Sequence, residues 1–196
     1  MRIISGKARG SRIVAPKGWK TRPPTARVRA SIFSRIASRM DIEGAEVLDL
    51  FAGSGSFGIE ALSRGAGRAT FVDTARETAA IIQRNLEELQ LAERATIVTA
   101  DVFRALAGLA RARAQYDLVF VDPPFAADTS GNILAKVASL DLLKRHGMVI
   151  VRQFYRAPEL DAAEYARVNM AKIGDHRIAL YRRLAAEVTG APEHGE

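Results

Sequence analysis

The chain has 196 residues, of which 48% are hydrophobic and 26% are charged, the proportions of an ordinary soluble globular protein. The absence of cysteine excludes disulfides, thiolate metal sites and a cysteine nucleophile, and three scattered histidines do not favour a histidine metal site. No apolar run approaches the ~20 residues of a membrane helix, and residues 1–7 lack the apolar core of a signal peptide. We therefore expect a cytoplasmic protein that binds no metal ion.

The net charge of +7 is concentrated at one end of the sequence. Residues 1–40 contain eleven Lys and Arg and no acidic residue, whereas the rest of the chain has 18 basic residues against 22 acidic ones. A segregated basic block favours contact with a nucleic-acid backbone, because a surface that only aids solubility usually mixes both signs of charge. A solvated basic arm is the alternative. The candidate RNA-contacting side chains are Arg2, Lys7, Arg9, Arg12, Lys20, Arg22 and Arg27.

The first predicted elements are two short strands, Arg2–Ser5 and Ser11–Ala15, on either side of a turn with a glycine at each end. A loop rich in glycine and proline follows. From Thr25 to about Met40 the pattern predicts a helix with Thr25 as its N-cap, because one face collects the apolar residues Val28, Ile32, Ile36 and Met40.

From residue 46 onward, short apolar runs alternate with amphipathic stretches. The predicted strands are Glu46–Phe51, Ala69–Val72, Ala95–Thr99, Leu118–Val121 and Met148–Val151, and helices are predicted at about 57–64, 75–90, 102–113 and 131–144. Thr74 to Glu77 has the form of a capping box directly after a strand. Tyr165–Ile173 and Arg177–Arg183 are predicted to close the sheet as a hairpin. The pattern indicates an α/β fold with a doubly wound, mostly parallel sheet of seven strands.

A glycine-rich loop follows the first strand of this sheet. Gly53, Gly55 and Gly58 fit the spacing G-x-G-x-x-G, and Asp73 ends the second strand, where a carboxylate can hold ribose hydroxyls. This geometry serves both dinucleotide cofactors and S-adenosylmethionine, and a purely structural glycine turn is the remaining alternative.

Asp49 favours S-adenosylmethionine over a dinucleotide. Its carboxylate lies four residues before the first glycine, where it is poorly placed beside a pyrophosphate but well placed for an ammonium group and a sulfonium. Asp101, after the third strand, can accept a hydrogen bond from an adenine amino group, or cap the helix that follows, or do both.

The fourth strand ends in Asp122-Pro123-Pro124-Phe125. Two prolines stiffen this loop and hold the Asp122 side chain and the Pro123 carbonyl as neighbouring acceptors. Two acceptors can bind both hydrogens of an exocyclic amine and aim its lone pair at a methyl donor, while Phe125 offers a stacking face for a base taken out of its helix. A stiff surface turn with a buried Phe is the alternative. These residues predict methylation of an amino nitrogen on a base, with Asp122, Pro123 and Phe125 as the catalytic residues.

The strings DLFAGSGSFGIEALSRGA (49–66), FVD (71–73), TADVF (99–103) and VFVDPPF (119–125) are similar to the class I, Rossmann-like methyltransferases. Together with RIISGKARGSRIVAP (2–16) and TRPPTARVRASIF (21–33), they resemble the RsmD-like small-subunit rRNA guanine-N2 methyltransferases. The resemblance covers nearly the whole chain. With the charge and periodicity above, it predicts a basic hairpin-and-helix extension that contacts RNA at 1–40 and a methyltransferase domain at 41–186. The pattern of residues 187–196 predicts a flexible tail.

The resemblance also implies a role for each matching position. Asp49, Gly53 and Gly55, with Phe51 in the same loop, would hold the methionine part of S-adenosylmethionine. Asp73 would hold the ribose and Asp101 with Val102 the adenine, while Asp122 and Phe125 would act on guanine in 16S rRNA or in an assembling small subunit. The implied enzyme is a monomer without a metal.

The sequence departs from this family pattern at three positions. The family usually has acidic residues where Ala26 and Ala30 stand, and more often glutamate where Asp73 stands. The rival functions are adenine-N6 methylation of RNA or DNA, an NAD-type oxidoreductase, and a catalytically silent RNA-binding factor. A sequence-specific DNA methyltransferase would normally need a larger recognition domain, which the sequence has no room for. An oxidoreductase would need an acid or base for hydride transfer, and no residue suggests one. The intact Asp122 argues against a catalytically silent factor.

Overall fold

The structure is a computed structural model that describes residues 1–16, 24–124, 129–160 and 162–184. Its helices are α1 (Ala26–Ala37), α2 (Ser56–Ser63), α3 (Arg76–Glu88), α4 (Val102–Arg111) and α5 (Ser130–Ser139). Its strands are β1 (Glu46–Leu50), β2 (Arg68–Asp73), β3 (Ala95–Thr99), β4 (Tyr116–Val121), β5 (Leu143–Phe154), β6 (Tyr165–Ile173) and β7 (His176–Arg183). None of the helices in these ranges has the length and hydropathy of a membrane span.

The strands form one sheet in the order β3-β2-β1-β4-β5-β7-β6. The first five strands are parallel, and β7 pairs antiparallel with both β5 and β6. The strand order reverses between β1 and β4, and in open α/β sheets ligands bind in the crevice beyond the carboxyl ends at such a reversal. The predicted doubly wound, mostly parallel sheet of seven strands is confirmed, and its topology places a site beside Leu50 and Val121.

Helices cover both faces of the sheet. One buried cluster joins α1, α2 and α3 to the sheet through residues such as Phe33, Ile59 and Phe71, and a second joins α4 and α5 through residues such as Leu106 and Val137. Because both faces are buried, the central strands are apolar at successive positions instead of alternating with polar residues.

The N-terminal arm, which we define as residues 1–16, is held against this sheet domain. Ile3 and Ile13 are buried in the same cluster as α1 and α2. The carboxylate of Glu60, which is fully buried, accepts hydrogen bonds from the backbone N–H groups of Ile4 (2.8 Å) and Ser5 (3.0 Å). The two predicted strands are shorter than expected. They meet in one antiparallel bridge between residues 2 and 12, with the N–H groups of Ile3 and Ile13 donating to the carbonyls of Ser11 and Met1.

Two further sequence predictions need correction. The helix predicted at 131–144 ends at Ser139, because the chain turns at Asp141 in a left-handed conformation (φ 53°) and enters β5 at Leu143. The capping box at 74–77 does not form, because α3 begins one residue later than the box requires: its N-cap is Ala75, which has no side-chain acceptor. Asp73 Oδ1 accepts the Ala75 N–H at 3.0 Å just before the helix. The predicted N-cap of α1 is confirmed, because Thr25 Oγ1 accepts the N–H of Val28. The tail predicted at 187–196 lies outside the described residues.

Candidate active site

A cleft of about 180 Å³ opens at the carboxyl edge of the sheet, where the strand order reverses. It brings together residues from the ends of β1, β2, β4 and β5. The residues that line it are Phe51, Asp73, Thr74, Asp122, Pro123, Pro124 and Arg152. The glycine-loop and tetrapeptide signals, which lie about 70 positions apart in the sequence, therefore meet in one place.

The loop after β1 has the backbone conformation that its glycines predict. Gly53 (φ 55°) and Gly55 (φ 74°) are left-handed, and Phe51 adopts the same region (φ 60°) although it carries a side chain. A non-glycine residue in this region is strained, and such strain is often retained where a loop must present its backbone to a ligand. The Gly53 N–H donates to Asp73 Oδ2 at 3.0 Å, which fixes the loop against the end of β2.

Asp49 is the most deeply buried acid of the site. It is fully buried in β1, and its Oδ2 accepts the N–H of Gly58 at 2.9 Å. Its Oδ1 has no hydrogen-bond partner among the residues that the structure describes. Burial raises the pKa of Asp49 well above its usual range, the Gly58 hydrogen bond opposes this, and the charges of Asp122 and Asp73 raise the pKa further. Asp49 thus lies close enough to Asp73 and Asp122 to be repelled by both, an arrangement that favours a positively charged ligand.

Asp122 pairs with a residue that the sequence patterns did not single out. The Nε of Arg152, near the end of β5, donates to Asp122 Oδ1 at 2.6 Å, and the two side chains are 5% and 11% exposed. Burial raises the pKa of Asp122, while the charge and hydrogen bond of Arg152 act to lower it. The sequence signal that could have indicated this pair is Arg152 itself, a lone arginine directly after the apolar run Met148–Val151. An arginine at the end of a predicted strand is, however, usually interpreted as projecting into solvent.

The remaining predicted residues are placed less directly. Asp101 caps α4, accepting the N–H groups of Phe103 (2.9 Å) and Arg104 (3.4 Å), and Val102 is buried in the core. Neither is among the described residues that line the cleft, so their contact with adenine stays a prediction. Phe125 lies outside the described residues.

The predicted RNA-contacting side chains lie on the arm and on α1. Arg2, Lys7, Arg9, Arg12 and Arg27 are exposed, whereas Lys20 and Arg22 lie outside the described residues. Not every arginine of the basic block is available to a partner. Arg29 is 1% exposed, and its guanidinium donates to the carbonyl oxygens of Pro24 and Arg2. This side chain joins α1 to the arm.

The fold and the glycine loop define a class I methyltransferase. A family model described as Conserved hypothetical protein 95 matches residues 1–182. The chain belongs to this family, and the resemblance inferred from its motifs is confirmed.

Individual relatives agree with this assignment. The chain is 37% identical to YlbH from Bacillus subtilis (strain 168) over 150 residues, which is 76% of this chain and 80% of that protein. It is 40% identical over 125 residues to Ribosomal RNA small subunit methyltransferase D from Escherichia coli (strain K12), where the match covers 64% of this chain and 60% of the relative. The solved structure of yhhF from Escherichia coli is similar with a TM-score of 0.82 and 31% identity, covering 95% of this chain and 99% of that one.

Proposed function

We propose that the protein transfers a methyl group from S-adenosylmethionine to ribosomal RNA, and that its target is the exocyclic N2 amino group of a guanine in the small-subunit RNA. The observation that carries this proposal is the position of Asp122 and Pro123 in one cleft with Phe51 and Asp73 of the glycine-loop region. The relative named Ribosomal RNA small subunit methyltransferase D supports the choice of RNA.

The residues present fit this cofactor. Asp73 and Asp122 line the cleft, the buried Asp49 lies close enough to feel the charge of both, and Arg152 pairs with Asp122. An ammonium and a sulfonium are attracted by such a site, whereas a pyrophosphate is repelled. Asp73 would hold the ribose hydroxyls, and the loop backbone at Gly53 and Gly55 would follow the methionine part. When bound, the cofactor supplies a methyl group on a positively charged sulfur.

The chain's own residues orient the amine. Because Arg152 holds Oδ1 of Asp122, the other carboxylate oxygen can accept one N–H of the target amine, and the Pro123 carbonyl can accept the second. Pro123 is buried and Pro124 follows it, so both acceptors are held by a stiff turn. The methylated nitrogen must release one proton, and burial, which raises the pKa of Asp122, makes this carboxylate a better base for it.

The experiment is to incubate the protein with isotopically labelled cofactor and small-subunit RNA from a strain that lacks the enzyme. We expect N2-methylguanosine as the labelled nucleoside in mass spectrometry, and we expect Asp122→Ala to abolish labelling while calorimetry still detects cofactor binding. Labelled N6-methyladenosine would transfer the assignment to adenine. An Asp122→Ala variant that still methylates RNA would rule out the amine-orienting role, and a native protein that binds no S-adenosylmethionine would remove the proposal altogether.

A further inference from the structure

An exposed aromatic and basic surface lies at the end of β5. We define it as the β5 platform, which consists of Phe154, Tyr155, Arg156, Lys172 and Arg177. Phe154 and Tyr155 are consecutive aromatic residues that are 41% and 39% exposed. Their side chains and the adjacent cations line one surface, and exposed apolar area of this kind can mark a binding site.

The platform lies beside the candidate active site. Phe154 follows Arg152, the partner of Asp122, by two residues on the same strand, a separation of about 7 Å along an extended chain. The turn between β6 and β7 lies at this same edge, because His176 is paired with Phe154 across the β5–β7 ladder. A substrate whose target base enters the cleft therefore has its neighbouring nucleotides within reach of this surface.

Specific contacts hold the platform in shape. The Tyr155 N–H donates to the carbonyl of Asp175 at 2.7 Å, and the Arg177 guanidinium donates to the Tyr155 carbonyl at 3.0 Å. The Lys172 ammonium lies 3.8 Å from the centre of the Tyr155 ring, and Phe154 packs edge-on against His176 at 6.3 Å. A cavity of about 260 Å³ lies among Phe154, Tyr155, Arg156, Lys172 and Asp175.

The charge of this region suits a polyanion. Arg156, Lys172 and one acid, Asp175, line the cavity, and Arg177, which lies over the Tyr155 ring, is also close enough to Glu159 to interact with its charge. Aromatic faces interleaved with cations are the composition that proteins use for single-stranded nucleic acid, since bases stack on the rings and phosphates pair with the cations. A purely apolar protein partner would not call for this excess of positive charge.

We propose that the β5 platform binds the unpaired nucleotides that flank the target base, with a base stacked on Phe154 or Tyr155 and phosphates on Arg156 and Lys172. This role of the β5 platform rests on the proposed function, because the platform would be a second surface that binds the same RNA substrate. It adds a contact region separate in sequence from the basic arm.

Two variants test the surface in the full-length protein. Phe154→Ala removes a stacking ring, with Phe154→Tyr as the matched variant that keeps it. A double variant, Arg156→Gln with Lys172→Gln, removes two charges, with Arg111→Gln and Arg113→Gln as the control, since these exposed arginines precede β4 at the opposite edge of the sheet. Binding is measured by fluorescence anisotropy with a labelled single-stranded RNA of mixed sequence and with a small-subunit RNA transcript.

We expect Phe154→Ala to weaken RNA binding about tenfold, the usual effect of losing one stacked base. The platform double variant should weaken it and lower the slope of log K against log salt by about 1.4, since each phosphate contact on a single strand contributes about 0.7. Phe154→Tyr and the arginine control should bind like the native protein. Thermal unfolding and S-adenosylmethionine binding should be unchanged in all of them, which separates loss of RNA contact from loss of folding.

Native-like RNA binding by both platform variants would overturn the proposal while leaving the methyltransferase function intact. Variants that bind RNA normally but no longer bind an assembling subunit would also overturn it, because the surface would then contact ribosomal protein. A native protein that neither binds nor methylates RNA would instead reject the proposed function itself.

Discussion

In the buried ion pair between Asp122 and Arg152, two effects act in opposite directions on the ionisation of Asp122. A carboxylate removed from water favours its neutral form, whereas an adjacent guanidinium favours the ionised form that accepts N–H groups. Asp122 has a raised pKa because burial exceeds the effect of Arg152. The arginine therefore keeps the acid available as an acceptor, and the burial keeps it basic.

A substitution at Arg152 should change the pH dependence of the reaction. Asp122 is active as a carboxylate, so activity falls as the pH drops through its pKa. Removing the cation in Arg152→Gln removes the influence that lowers this pKa, so the acidic limb of kcat/KM should move to higher pH. The measurement is a pH profile of methyl transfer to small-subunit RNA.

Arg152→Lys is the matched variant, because it keeps a positive charge near Asp122 and should leave the acidic limb closer to the native position. An acidic limb that stays in place in Arg152→Gln, with cofactor binding intact, would show that Arg152 does not set the protonation of Asp122.

Helix α2 is the element that fixes the glycine loop on the sheet, and one glycine decides how close it lies. A Cβ atom added at Gly58 would lie 2.3 Å from Cε1 of Phe71, whose ring is fully buried and cannot swing aside. The same residue donates its N–H to Asp49. The third glycine of the motif therefore serves helix–strand packing.

Gly58→Ala should lower the free energy of unfolding by about 1–3 kcal/mol, the usual effect of overpacking a core. Gly108→Ala is the control, because Gly108 lies inside α4 and a Cβ there meets no atom within 4 Å. That change should raise stability by about 0.5–1 kcal/mol, since alanine favours a helix over glycine. Urea denaturation of both variants measures the difference, and equal stabilities would refute the close-packing argument.

Most helices and strands could be predicted from the sequence because the signals that mark them are local. The apolar runs mark β1 to β4, and Thr25 marks the start of α1. The boundary between α5 and β5 could not be predicted, because residues 140–143 suit a helix as well as a strand. The turn between the two elements depends on the left-handed conformation of Asp141. The ion pair at Asp122 could not be predicted either, because it depends on which strand lies beside β4.

At the scale of the whole molecule, the basic arm and the acids of the candidate site come from different parts of the sequence. The exposed cations of the arm belong to the first residues of the chain, whereas Asp49, Asp73 and Asp122 converge at the carboxyl edge of the sheet. We expect different side chains to hold the RNA backbone and the target base, the first on the arm and the second in the cleft.

Replacing Lys7, Arg9 and Arg12 with Gln should weaken binding of small-subunit RNA and reduce its salt dependence by about 2 in the slope of log K against log salt. The matched control replaces Arg111, Arg113 and Arg145, which are equally exposed and lie near the opposite edge of the sheet. Anisotropy titrations at several salt concentrations provide the measurement. If both triple variants lose affinity equally, the arm has no special role and the effect is one of net charge.

The attachment of the arm has a practical consequence for anyone who wishes to dissect this protein. Deleting residues 1–16 would remove two isoleucines from the interior and take two backbone donors from the Glu60 carboxylate, which would keep only Arg64 as a hydrogen-bond partner among those described. The loss of buried apolar side chains and of hydrogen bonds to a buried carboxylate is destabilising. If a shortened chain did not bind RNA, the cause would thus be misfolding and not the loss of RNA-contacting side chains. Only point changes on outward-facing side chains can distinguish the two.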